Sequence, residues 1–138
     1  MIDLFIIISK YLFILYIALF VLCGFMINLK RQDMARFNIA IGLSNQRICI
    51  ILFHITASVI LISSQLEYDM QPVILYCVTG FLLIIGGNAL TAKLYPEGSH
   101  LLYNCVFFLM GIGLMMLYRL NTDLASRQLI WNTIGIIM

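Results

Sequence analysis

Tyr11 to Leu29 reads YLFILYIALFVLCGFMINL, nineteen residues without a charge. As a helix rising about 1.5 Å per residue it reaches roughly 28 Å, the depth of a bilayer's hydrocarbon core. It is no cleavable signal peptide: the apolar run is too long, Asp3 precedes it where a basic n-region is expected, and no small-x-small site follows. Further uncharged runs span Ile48 to Leu66, about Gln71 to Ala92, and Leu101 to Tyr118. Pro72 falls in the first turn of the third, where a missing N–H costs little. The sequence therefore predicts an all-α, polytopic transmembrane helix bundle with four complete spans. Gln128 to Met138 (QLIWNTIGIIM) adds the start of a fifth span, about 16 Å long as a helix. A chain end in mid-bilayer would strand carbonyls and a carboxylate in hydrocarbon, so the expectation is an amino-terminal piece of a longer protein.

Composition agrees. The 138 residues are 63% hydrophobic and 10% charged, with a mean hydropathy of +1.05; a soluble domain is about half apolar and a quarter charged. Two prolines and no basic run exclude collagen, disorder and a nucleic-acid-binding tail. Cys23, Cys49, Cys77 and Cys105 have neither zinc-site nor disulfide-framework spacing. Lys30, Arg31, Arg36 and Arg47, opposed by Asp33, lie between the first two spans, and Glu67 and Asp69 between the next two. The positive-inside rule then predicts an extracytoplasmic N-terminus and a cytoplasmic turn from Lys93 to His100. The Arg119 to Arg127 segment falls outside, its arginines on the disfavoured side.

Polar residues within the spans read first as packing. His54 and Ser58 share a helical face in the second span, and a neutral imidazole there suits interhelical hydrogen bonding. Lys10 is close enough to the outer end to snorkel. Asn88 and Asn104 are placed to join the third and fourth helices, with Gly86, Gly87, Gly111 and Gly113 allowing close approach. Gly111 and Gly113 are expected to face nothing if helices are missing. Carboxylates lie only at or beyond the span ends, which argues against a proton-coupled transporter and against an acid–base pair in this stretch.

From Leu101 the chain reads LLYNCVFFLMGIGLMMLYRLNTDLASRQLIWNTIGIIM. Its Gly-x-Gly helix from Gly111 to Leu117, Tyr118-Arg119-Leu120, Asp123, Ala125, Arg127-Gln128 and the Trp131 to Gly135 stretch resemble the start of the conserved core of the SEDS family (RodA, FtsW, SpoVE). The likeness is specific over about the last forty residues and general, in hydropathy, over the first hundred. It divides the chain into a three-helix extension, 1–97, and the start of the core, 98–138. It implies a bacterial plasma-membrane glycosyltransferase that polymerises lipid II into peptidoglycan beside a class B penicillin-binding protein, the transpeptidase. The family's essential Asp lies in a large outer loop beyond Met138, so no catalytic residue is expected here. No cofactor is expected in this stretch, whereas a divalent cation is possible in the complete protein. Arg119, Asp123, Arg127 and Gln128 are the substrate-proximal candidates. Arginine donates in a planar fork suited to pyrophosphate; alternatively both arginines pair with Asp123, four residues away in each direction, and anchor the loop. A non-catalytic scaffold of the elongation or division machinery is the competing function.

Overall fold

A computed structural model describes residues 2–30, 36–64 and 70–138. Within them lie α1 (Ile2–Lys30), α2 (Arg36–Ser64), α3 (Met70–Leu94), α4 (His100–Leu120) and α5 (Thr122–Ile137), with no strand. Hydrocarbon offers no hydrogen bonds, so each span satisfies its backbone internally and the helix is the form available to a single segment. Pro72 occupies the first turn of α3, as expected, and Pro96 lies in the turn between α3 and α4. The boundary between residues 97 and 98 falls in that same turn.

Parts of α1 to α4 (Ile7–Asn28, Ile39–Ser64, Met70–Leu94 and His100–Leu120) are long and apolar enough to cross a membrane. Large apolar side chains face outward along them, including Phe25, Leu75, Leu82 and Leu109, each more than 60% exposed. In water such a surface would aggregate, whereas in a bilayer it is the lipid contact. The chain is a multi-pass membrane protein.

Three helix starts differ from the sequence reading, the first being that of α1, which begins at Ile2, nine residues before Tyr11. The second span begins not at Ile48 but within a helix that starts at Arg36. Asn38, Ser44, Asn45, Gln46 and Arg47 looked like loop, yet Gln46 is wholly buried and Arg47 half-buried. The fifth helix begins at Thr122 instead of Gln128, so residues 119–127 form no loop. The polar residues 122–127 are its first two turns, where exposed polar side chains suit a membrane border.

Aromatic rings fix the interior. Phe108 of α4 stacks on Phe20 of α1 at 4.3 Å between centroids and meets Phe53 of α2 edge-on at 5.3 Å. Phe13 of α1 closes on Phe53 at 5.0 Å. On the other side of α4, Tyr118 lies 4.4 Å from Tyr76 of α3, whose hydroxyl donates to the Leu114 carbonyl at 3.0 Å. Thus α4 is central, packed on α2, α3 and α5, while α1 packs mainly on α2. The glycines divide. A Cβ on Gly87 would come 2.6 Å from the Phe107 ring and one on Gly111 3.2 Å from Ile84, so both permit close helix approach. Gly86 and Gly113 face open space: neither serves helix packing as expected, whereas the expectation that Gly113 faces nothing is met. Gly111, expected to face nothing in a truncated chain, is packed.

Candidate functional site

The four residues singled out in the sequence gather around the α4–α5 corner. Its geometry rests on Asn121, the one residue between the helices, with extended backbone at φ −158° and ψ 113°. The Asn121 N–H donates to Leu117 O at 2.8 Å and closes α4. Its side-chain Oδ1 accepts from the backbone N–H groups of Asp123 and Leu124 at 3.0 and 3.1 Å and opens α5. Asparagine is a favoured N-cap because it satisfies donors that the first helical turn leaves free. Asp123 adds an anion at the positive end of the helix dipole.

Arg119, Asp123, Arg127 and Gln128 are all exposed. Among the described residues, no ion pair joins Asp123 to either arginine, so the expected clamp does not form. The spacing misleads at Arg119, because Asn121 breaks the helix between it and Asp123. At Arg127 the fourth-residue relation holds, but both side chains stay in the exposed shell. Gln128 Nε2 donates to Asn132 Oδ1, one turn along its own helix, at 3.3 Å. Arg119 also lines a cavity of about 210 Å³ between α1, α2 and α4, whose other walls include Phe13, Ile17, Phe53, Ile112 and Met116. One permanently charged fork at the edge of an apolar recess can accept an amphiphile with an anionic head. Among the described residues no group of three or more His, Cys, Asp or Glu could hold a metal ion. At the corner, Asp123 stands in sequence between two cationic residues, which disfavours a cation there.

A second polar constellation lies inside the bundle. Asn88 Nδ2 of α3 donates to Asn104 Oδ1 of α4 at 3.2 Å, the pairing expected from the sequence. Asn104 Nδ2 donates to Gln46 Oε1 at 3.2 Å and to Leu43 O at 3.3 Å, both on α2. Gln46 Nε2 then donates to Phe20 O on α1 at 3.4 Å. Gln46 and Asn104 are 0% exposed, so one chain of carboxamides ties four helices together. The sequence reading missed Gln46 because it placed that residue in a loop. The available signal was the buried stripe of α2: stepping back from Leu61 through Ala57, His54 and Ile50 by three or four residues arrives at Gln46.

His54 occupies the centre of α2 and is 1% exposed. Its Nε2 lies 3.4 Å from the Cys77 carbonyl of α3, so that nitrogen carries the proton and donates. This is the interhelical bond expected of a neutral imidazole. Phe81 covers the ring at 5.9 Å, and Gly80 and Gly111 lie beside it. Nδ1 is buried without a hydrogen-bond partner. Among the described residues no carboxylate or nucleophile–base pair assembles around these groups, and the bonds they make join helices to one another.

No family model, curated protein or solved structure matches this chain.

Proposed function

We propose that this chain is the amino-terminal part of a peptidoglycan glycosyltransferase of the RodA/FtsW type, resident in the bacterial plasma membrane. The observation that carries the reading is the series Tyr118-Arg119-Leu120, Asp123, Ala125, Arg127-Gln128 and Trp131 to Gly135. The all-helical bundle suits it, and so does the exposed Arg119 beside an apolar recess. A lipid-linked saccharide pyrophosphate has the same division, an anionic head on a long hydrocarbon chain, and guanidinium groups bind such heads as bidentate donors.

Charge supports the orientation. In sequence, the segments that join α1 to α2 and α3 to α4, with the flanking helix ends, include Lys30, Arg31, Arg36, Arg47 and Lys93 against Asp33 and Glu97. The stretches at the other helix ends include, in sequence, Lys10, Arg119 and Arg127 against Asp3, Glu67, Asp69 and Asp123. The more basic end belongs in the cytoplasm, which turns the Asn121 corner and the N-terminus to the exterior, where lipid II is polymerised. In this reading the chain supplies binding and helix packing. The transferring Asp and any divalent cation belong to the part beyond Met138, and a class B penicillin-binding protein is the partner.

The test is to read the gene past codon 138 and assay membranes containing the whole product for lipid II polymerisation. An Asp-to-Ala control in the large outer loop accompanies it. Polymer that vanishes in the control supports the glycosyltransferase. A stop codon after Met138, or no polymer even with the transpeptidase present, overturns it in favour of the non-catalytic scaffold.

A further inference from the structure

Arg47 is the one charged side chain among the described residues lining a groove between α2 and α3, a cavity of about 210 Å³. Its Nε is buried without a hydrogen-bond partner. The remaining walls are Ile50, Ile51, Ile84, Ile85, Ala89 and the carboxamide-bearing Asn88. A permanent cation with a dry, unpaired N–H calls for an anionic acceptor, and no acidic residue is among that lining.

Depth specifies the source of that acceptor. Arg47 precedes Ser64, the far end of α2, by seventeen residues, and Asn88 follows Met70, the far end of α3, by eighteen. At about 1.5 Å per residue both lie about 26 Å from the opposite face, close to the border of a core about 30 Å thick. This is the level of glycerol and phosphate groups in the leaflet at the basic end of the bundle. The isoleucines continue the groove toward the bilayer centre, along the path of an acyl chain.

We propose that the α2–α3 groove binds one anionic phospholipid, its phosphate on the Arg47 guanidinium and the Asn88 amide, and an acyl chain along Ile50, Ile51, Ile84 and Ile85. The site lies on helices that precede the stretch resembling the SEDS core, and it stands whether or not the chain belongs to a glycosyltransferase.

Native mass spectrometry tests this on the full chain released from bilayers of equal phosphatidylglycerol and phosphatidylcholine. One retained phosphatidylglycerol per chain, enriched about fivefold over phosphatidylcholine, is expected from one interfacial arginine. Arg47→Gln removes the enrichment, whereas Lys10→Gln, at an exposed cation outside either recess, leaves it intact. Because a substitution at a half-buried arginine can impair folding, Ala89→Trp serves as a second variant: it keeps the charge, fills the groove from an exposed position and expels the lipid. Equal retention of both lipids by the parent chain overturns the proposal. So does enrichment that persists in either a folded Arg47→Gln or a folded Ala89→Trp protein.

Discussion

Replacing Asn104 by leucine removes the junction of the carboxamide chain while keeping an apolar body of similar size. Three interhelical hydrogen bonds go with it: to Gln46 Oε1, to Leu43 O and from Asn88 Nδ2. At the mean of about 0.6 kcal/mol for such bonds within membranes, their loss comes to about 2 kcal/mol. Gln46 remains wholly buried with its Oε1 unpaired, and desolvation without compensation adds about 1 to 2 kcal/mol. The expected destabilisation is therefore about 3–4 kcal/mol, at least about a hundredfold change in the folding equilibrium. The assay is SDS titration of the detergent-solubilised chain followed by near-UV circular dichroism, which reads fixed aromatic pairs such as Phe20–Phe108 and Tyr76–Tyr118. Gln46→Leu in the same protein sharpens the test. With both carboxamides gone no polar atom of residue 46 or 104 is left unpaired, so the double variant should lose less than the sum of the single losses. A loss under about 0.5 kcal/mol for Asn104→Leu, or strict additivity in the double variant, would refute the reasoning from buried amides.

The same titration separates two adjacent glycines. Gly87→Ala drives a methyl into the Phe107 ring and should cost about 1–3 kcal/mol, whereas Gly86→Ala meets open space and should stabilise by up to about 1 kcal/mol through helix propensity. Asn121→Ala removes the cap of α5 and should cost about 1 kcal/mol, with faster hydrogen exchange at the Asp123 and Leu124 amides as the local signature. Tyr76→Phe deletes the bond to Leu114 O while keeping the ring stack, and a loss of about 1 kcal/mol is expected.

The four spans were legible because bilayer thickness imposes a length on uncharged runs, and Tyr11 to Leu29 meets it by counting alone. The Asn88–Asn104 pair and the His54 hydrogen bond were legible for a related reason: a polar side chain amid apolar neighbours must find a partner on another helix. Gln46 and Arg47 were not, since polar residues near a span end look alike whether they face water or a neighbouring helix. Only the tertiary surroundings distinguish the two: α1 and α4 bond Gln46, and α3 forms the groove that Arg47 lines. At the corner, Asn121 followed by Asp123 was a readable helix start, but two flanking arginines drew the same residues into an apparent loop. Glycine patterns carry still less, because Gly86 and Gly87 are adjacent in the chain and opposite in surroundings.

The gradation in burial along the chain bears on how the bundle is made. In the apolar windows of α1 through α4, 11%, 33%, 33% and 39% of residues are buried. Synthesis from the N-terminus thus delivers first the helix that needs its neighbours least and last, of the four, the one that needs them most. Released into lipid alone, α1 leaves few groups waiting for a partner. When α4 emerges with Asn104 at its core, the carbonyl of Leu43 and the carboxamides of Gln46 and Asn88 are already in the bilayer to receive it. The most polar joint of the bundle is assembled by the latest of the four spans, so its amide is not left waiting in hydrocarbon for helices still to be translated.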